Sequence, residues 1–209
     1  DFEVETPSWG YADSGTRFHV FAQPGAAETV YEKLEDAACV HRHTGAAPSV
    51  AMHVAWDFHG EDVEEVKSYA DSLGVELGAM NPTLFEEPEY KYGSLASPEK
   101  EAREKSLEHC RESIEIMEQC GSRYLSLWMA DGTNYPGQDD LRARKNRMTA
   151  SLQEIHEAMP EDSVMLVEYK LFEPAFYSTD IADWGASRMY CQECGPKAKV
   201  LVDLGHHAF

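Results

Sequence analysis

Short apolar segments alternate with longer amphipathic segments along the whole chain, and this alternation limits the folds that the sequence can adopt. The apolar segments have the length of strands, and several are apolar on both faces, as is typical of parallel strands buried between two layers. Alternating strands and helices predict a parallel sheet with crossover helices. The predicted strands are 49–55, 75–80, 122–129, 163–169 and 199–204, with a weaker candidate near 7–11.

The segments between these strands carry apolar residues at helical spacing. Val63, Val66, Ala70 and Leu73 form one such stripe, and Gly74 follows as the expected helix C-cap. Two long loops also follow predicted strands, where a barrel would place them on its active face. The other predicted helices are about 26–43, around 107–117, around 148–159 and 177–194, and the loops are 81–98 and 130–140.

Two parallel architectures fit this pattern, a doubly wound sheet and a (β/α)₈ TIM barrel. Neither of the glycine-rich phosphate loops G-x-G-x-x-G and G-x-x-x-x-G-K-[ST] occurs, which disfavours a nucleotide-binding doubly wound sheet. A complete barrel takes about 250 residues, and about six strands can be counted. The last of them lies just before Phe209. We therefore expect one α/β domain over 1–209, an incomplete TIM barrel whose last βα units are missing.

The charge balance narrows the possible partners. The chain has 18 basic and 38 acidic residues, a net charge of −20. This disfavours nucleic acid, because phosphate binding needs clustered lysine and arginine. The acidic residues are spread over predicted helix faces and predict a well-solvated surface. No apolar run reaches the roughly 18 residues that span a bilayer, and the first residues do not resemble a signal peptide. We expect a cytoplasmic protein with no membrane partner.

The chain has five cysteines, and two of them form a C-x-x-C motif at Cys191 and Cys194. A zinc site would need a second pair at suitable spacing, and the sequence has none. A redox motif would lie at a turn between a strand and a helix, whereas this pair lies near the end of a predicted helix. Ordinary helix cysteines are the favoured interpretation, with redox and zinc sites as the alternatives.

Polar residues follow two neighbouring predicted strands, at the ends that would open onto a barrel site. Glu168 and Lys170 are two residues apart and so share a strand face. Asp203 and His206 follow the next strand. Carboxylate and imidazole groups suit a divalent cation, and Lys170 could polarise a substrate oxygen or move a proton. The alternatives are a salt bridge and a capped turn. We predict a metal site of Glu168, Asp203 and His206, in which only one of the adjacent histidines binds.

Aromatic and histidine side chains close two other predicted strands. His53 and Trp56 follow 49–55, and Trp128 ends 122–129. An aromatic wall suits the apolar C–H face of a sugar. A core histidine bonded to the backbone and core tryptophans are equally good interpretations of the residues alone.

Four stretches of the sequence carry a more specific signal, and together they resemble the Pseudomonas-type bacterial L-rhamnose isomerases over nearly the whole chain. The family has a xylose-isomerase-like barrel. The resemblance implies metal-dependent interconversion of L-rhamnose and L-rhamnulose with two divalent metals, often manganese. It also implies a homo-oligomer, expected to be a tetramer. The stretches are 5–18, 128–140, 168–176 and 202–207.

The resemblance also implies roles for individual residues. Glu168 would bridge two metals, Asp203 would be a second ligand of the structural metal, and His206 would bind the catalytic metal. Lys170 would sit at the substrate oxygens, and His53 would contact the sugar and assist ring opening. The family's remaining ligands lie on later strands, so we expect this chain alone to hold metal weakly. The implied pocket residues are Trp56, Trp128 and Phe18, the last inserted by a neighbouring subunit.

Three other functions stay open. A ketose 3-epimerase on the same barrel would need a second carboxylate facing C3, and no predicted strand end clearly supplies one. A metal-dependent phosphodiesterase would need a basic groove, which the net charge disfavours. The third alternative is a sugar- or metal-binding module without catalytic activity.

Overall fold

Among the residues that the structure describes, six strands form the main sheet, as the alternation predicts. The computed structural model describes residues 3–16, 19–135, 137–172 and 177–207. The strand Ser49–His53 pairs in parallel with Glu5–Pro7 and with Glu76–Asn81, and Val164–Glu168 pairs in parallel with Ala198–Leu201. Helices lie between the strands in sequence. The predicted α/β class with a parallel sheet is therefore confirmed. The chain divides into two units. The first unit comprises the chain up to Pro82 together with Glu115–Tyr124, and the second comprises Thr83–Ile114 together with the chain from Leu125 onward.

The described part of the first unit contains three parallel strands, an antiparallel strand pair and three α-helices. Helix α1 begins with a capping box between Thr29 and Glu32 and ends at Gly45, whose φ of 65° suits glycine. Buried apolar side chains such as Leu34, Met52 and Met80 form its core. Its elements are β1 (Glu5–Pro7), β2 (Ser14–Thr16), β3 (His19–Phe21), α1 (Val30–Thr44), β4 (Ser49–His53), α2 (Val54–Asp57), α3 (Val63–Leu73) and β5 (Glu76–Asn81).

The second unit contains the other strands of the main sheet, in the order β6, β8, β10. Asp140 and Asp183 cap the N-termini of α5 and α6 by accepting backbone N–H bonds. Met148, Leu152 and Met165 are fully buried in its core. Its elements are α4 (Lys100–Cys120, residues up to 114), β6 (Tyr124–Leu127, residues from 125), β7 (Gly132–Thr133), α5 (Leu141–Ala158), β8 (Val164–Glu168), β9 (Ser178–Thr179), α6 (Trp184–Cys194) and β10 (Ala198–Leu201).

Two predicted elements differ from the structure. The weak strand near 7–11 is wrong: β1 ends at Pro7, which has no N–H for a ladder, and Ser8–Gly10 forms a 3₁₀ turn that carries Trp9. The helix predicted over 177–194 begins only at Trp184, because Asp183 caps it and Ser178–Thr179 pairs with β7 instead. The remaining predicted strands are confirmed with slightly different bounds.

Within the described ranges, no helix combines the length and the apolar character needed to cross a bilayer.

Candidate metal centre

Three predicted metal ligands lie together beyond the carboxyl ends of two neighbouring strands. Glu168 is the last residue of β8, and Leu201, the last of β10, lies opposite it in the parallel register. The turn after β10 then brings Asp203 and His206 back towards Glu168. One ligand atom from each of the three side chains lies within 4.8 Å of the others. His206 Nδ1 is 2.8 Å from Glu168 Oε1 and 3.4 Å from Asp203 Oδ2.

Asp203 both shapes this turn and faces the cluster. Its Oδ1 atom accepts the backbone N–H groups of Gly205 at 2.6 Å and His206 at 3.2 Å. Its Oδ2 atom faces the imidazole. On the other side, His206 Nδ1 lies 3.2 Å from the Tyr169 carbonyl oxygen, and the Tyr169 hydroxyl lies 2.7 Å from His207 Nδ1. The two histidines therefore have different partners, and only His206 belongs to the cluster.

The electrostatics of the cluster suit a cation. Burial raises the pKa of Glu168, and the hydrogen bond and charge of His206 only partly oppose that rise. The pKa of His206 is raised chiefly by its hydrogen bond to Glu168. Glu168 and His206 thus hold a proton more tightly than isolated side chains do. Two carboxylates and an imidazole at this separation offer the oxygen and nitrogen donors that divalent ions accept. The residues fit a metal ion.

Metal affinity is expected to increase as pH rises above the ordinary imidazole pKa of about 6.5, because metal binding must displace the proton that His206 and Glu168 hold. The stability of the metal-free protein is expected to fall, rather than rise, with increasing pH. A raised pKa for His206 gives stability below its unfolded pKa of about 6.5, which is lost as pH rises through the folded value. Titration calorimetry with Mn²⁺ measures how the affinity depends on pH, and thermal unfolding with and without Mn²⁺ measures how the stability depends on pH. A pH-independent affinity would contradict the expected competition between proton and metal.

A lysine and two aromatic side chains form a second group in the same unit. Lys170 Nζ lies 5.3 Å from the ring centroid of Trp128, a cation–π distance. Phe85 meets Trp128 edge-to-face, with centroids 4.9 Å apart. The charge of Lys170 opposes a small part of the rise in the pKa of His206, so the ammonium lies within electrostatic reach of the candidate ligands. Sequence reasoning missed Phe85, whose only signal is an aromatic residue in a loop that follows a strand.

His53 and Trp56 lie in the first unit and stack on one another. Their ring centroids are 3.5 Å apart and their planes differ by 12°, and Trp9 meets His53 edge-to-face at 6.0 Å. His53 is 4% exposed, whereas Trp56 is 40% exposed. Burial, with a smaller effect from Lys33, lowers the pKa of His53 to about 3, so the imidazole is neutral. Trp56 lies in the one-turn helix α2 and not on the strand itself.

Close to this stack lies a buried carboxylate that is not among the site residues predicted from the sequence. Asp57 is 1% exposed. It accepts hydrogen bonds from Ser8 Oγ at 2.5 Å, Lys33 Nζ at 2.6 Å and the His53 backbone N–H at 2.7 Å. Asp57 therefore ties together the 3₁₀ turn that carries Trp9, helix α1 and the end of β4. The one sequence signal was an aspartate four residues after His53.

Two other sequence predictions have different outcomes. Cys191 and Cys194 lie in the last turn of α6, as predicted, and both are free thiols. Burial raises the pKa of both, that of Cys194 to about 12, which favours the unreactive thiol over the thiolate. Phe18 lies outside the described residues.

Comparison with known proteins identifies relatives of this chain. The family described as "Xylose isomerase-like TIM barrel" matches residues 39–209. The chain is 40% identical to a "Probable sugar isomerase" of Rhizobium meliloti, covering 99% of this chain and 49% of the relative. It is 37% identical to a protein of the same description from Mesorhizobium japonicum, with the same coverage. The chain spans about half the length of these two relatives.

Solved structures agree on the fold. An L-ribulose 3-epimerase matches 96% of this chain and 60% of its own with a TM-score of 0.69 at 13% identity. A D-allulose 3-epimerase from Methylomonas sp. matches 95% and 62% with a TM-score of 0.68 at 12% identity. An AP endonuclease of family 2 from Brucella melitensis matches 85% and 64% with a TM-score of 0.64 at 14% identity. At such identities the likeness concerns the fold alone, and the predicted TIM-barrel architecture is confirmed.

Proposed function

Because the chain belongs to the family of xylose isomerase-like TIM barrels, we propose that it forms part of a metal-dependent sugar isomerase acting on L-rhamnose and L-rhamnulose. The observation that carries the proposal is the convergence of Glu168, Asp203 and His206. In TIM barrels the carboxyl ends of the strands face the active site. The "Probable sugar isomerase" relatives support the reaction class, and the four resembling stretches support L-rhamnose as the substrate.

Glu168, Asp203 and His206 are proposed to hold Mn²⁺, with two metals per site as the resemblance implies. A divalent ion bound there supplies Lewis-acid polarisation of the sugar oxygens. The detailed roles of Glu168 as bridge, Asp203 as ligand of the structural metal and His206 as ligand of the catalytic metal rest on the resemblance. Asp203 Oδ1 already accepts two backbone N–H groups, so its Oδ2 is the atom available to a cation.

Lys170 is proposed to stabilise the substrate oxygen that gains negative charge during isomerisation. A fixed ammonium that donates a hydrogen bond to a developing oxyanion lowers the barrier because it needs no reorganisation. Its position over Trp128 leaves the charge close to the ligands. Trp128 and Phe85 offer apolar faces against which the C–H groups of a sugar can pack while water is excluded.

The roles of the first unit are proposed from the resemblance. His53 would contact the sugar and assist ring opening, and its neutral imidazole can accept a hydrogen bond from a sugar hydroxyl. Trp56 would line the pocket, and Phe18 would be supplied by a neighbouring subunit. A single catalytic domain over 1–209, a homotetramer and a cytoplasmic location also stay predictions.

The proposal is tested by turnover of the complete reading frame that encodes this chain. The protein is stripped with a chelator, reloaded with Mn²⁺ and incubated with L-rhamnose, L-ribulose and D-allulose in separate reactions. We expect L-rhamnulose to form from L-rhamnose only after Mn²⁺ is restored.

The other products separate the alternatives. A ketose inverted at C3, formed from L-ribulose or D-allulose without conversion of L-rhamnose, would establish the epimerase instead. Saturable sugar binding in calorimetry without any product would establish a binding module. Full activity in the stripped protein would contradict the metal-dependent mechanism.

A further inference from the structure

Arg144 is buried among acidic side chains in the second unit, although it lies on helix α5 and follows no strand. Only 2% of the residue is exposed. Its Nε atom donates to both carboxylate oxygens of Asp180 at 2.9 and 3.0 Å, and Nη2 donates to Asp180 Oδ2 at 2.7 Å. Nη1 donates to Asp139 Oδ2 at 3.1 Å and to the Tyr92 carbonyl at 3.4 Å. One guanidinium thus holds three loop segments.

A second buried carboxylate extends this arrangement. Asp131 accepts the backbone N–H and the hydroxyl of Ser94 at 2.8 and 2.7 Å, and the backbone N–H of Ala96 at 2.7 Å. Its own carbonyl accepts the backbone N–H of Asp180 at 2.8 Å. Asp131 lies three residues after Trp128. The same network therefore reaches both the loop that follows β5 and the segment that carries the aromatic partner of Lys170.

The segments approach so closely that a side chain would not fit between them. Gly93 has a φ of +107°, and a Cβ added there would lie 2.8 Å from Asp131 Oδ2 and 3.1 Å from Arg144 Nη2. Glycine is required by both the conformation and the space. The contact indicates a fixed arrangement of these loops around the guanidinium.

Asp180, which accepts the hydrogen bonds of Arg144, lies between the two residues that hydrogen-bond the backbone of Lys170. The Lys170 N–H donates to the Ile181 carbonyl at 3.1 Å, and the Thr179 hydroxyl donates to the Lys170 carbonyl. Asp180 is the residue between Thr179 and Ile181. The bidentate contact with Arg144 fixes the position of Asp180. Because the residues on either side of Asp180 bond the N–H and the carbonyl of Lys170, the contact also fixes the Lys170 backbone.

We infer that Arg144 is a positioning residue for Lys170, an inference that rests on the proposed function for its catalytic meaning. The guanidinium anchors Asp180, the flanking residues hold the Lys170 backbone, and the ammonium is thereby kept over Trp128. A buried ion pair adds little stability compared with apolar residues of the same volume. The Arg144–Asp180 pair is therefore better explained by its effect on the position of Lys170 than by its effect on stability. Lysine at 144 could not reproduce the planar contact with Asp180.

The first test follows Lys170 directly and needs no activity. Lysines are reductively methylated with ¹³C, and a Lys170→Arg variant identifies the Lys170 signal. We expect the Trp128 ring current to displace this signal in the parent protein, because Lys170 Nζ lies 5.3 Å from the ring centroid. We expect Arg144→Lys to move this signal most of the way to that of an exposed lysine. Arg111→Met, which removes a half-exposed arginine paired with glutamates on the same unit, is the control and should leave it unchanged.

Asp180→Asn provides a milder variant if Arg144→Lys does not fold, because it keeps the shape of the side chain and weakens only the contact with Arg144. The Lys170 signal should then move in the same direction by a smaller amount. An unmoved Lys170 signal in either folded variant would overturn the inference.

The second test is a kinetic double-mutant cycle on the complete reading frame. Arg144→Lys alone should lower kcat by about 10-fold or more, with Mn²⁺ affinity changed by less than about 3-fold. In a Lys170→Met background the same change should have little further effect, because residues that act through one another are not additive. Fully additive losses would overturn the inference. If the parent protein shows no isomerase activity, the proposed function fails, and the Lys170 signal still decides the positioning role.

Discussion

Glu168→Gln is expected to weaken Mn²⁺ binding by roughly 100-fold or more and to abolish metal-dependent turnover. The change removes a negative charge from a cluster of three donors, in which the Glu168 side chain is only 14% exposed. Loss of a residue that merely supports a metal ligand already costs roughly 10–100-fold in affinity, and Glu168 is proposed to be a ligand itself. Titration calorimetry and the electron paramagnetic resonance signal of unbound Mn²⁺ measure the loss.

The matched control for this variant is Glu161→Gln, which makes the same chemical change at a side chain that is 100% exposed. Its Mn²⁺ affinity should equal that of the parent protein. At a pH above the folded-state pKa of His206, where this imidazole is neutral, Glu168→Gln should also unfold no earlier than the metal-free parent, since burial already disfavours the Glu168 charge. An affinity within about threefold of the parent would contradict the assignment of Glu168.

Asp57→Ala is expected to lower the free energy of unfolding by about 3–5 kcal/mol, the cost of breaking a buried ion pair by removing one partner. The Lys33 side chain is 8% exposed and would be left buried without its carboxylate partner. The Ser8 hydroxyl and the His53 N–H would lose their acceptor as well. Urea unfolding monitored by tryptophan fluorescence measures the change.

Two further variants show whether burial causes this effect. Asp71→Ala breaks the Lys67–Asp71 pair, whose side chains are 37% and 59% exposed, and should cost no more than about 0.5 kcal/mol. Lys33→Met combined with Asp57→Leu removes both buried charges and should recover much of the stability lost in Asp57→Ala. A loss below about 1 kcal/mol in Asp57→Ala would show that the buried pair does not hold this part of the first unit.

Much of the architecture and the metal cluster follows from local patterns. Apolar runs at 163–169 and 199–204 predict strands, and the structure places β8 and β10 within or next to them. Because successive parallel strands end at the same edge of a sheet, polar residues after each of them are expected to meet. Glu168, Asp203 and His206 do so. Local periodicity did not predict the start of α6, which the Asp183 cap sets, or the end of β1, which lies at Pro7.

The sequence alone therefore determined the alternation of strands and helices, the family resemblance and the three candidate metal ligands, since each has a signature within a short stretch. Tertiary structure alone decided which charges are buried together. Asp57 meets residues 24 and 49 positions away, and Arg144 meets Asp180 36 positions away. Such pairs have no periodic signature, because they depend on how separate segments pack and on the energetic need to neutralise a charge removed from water.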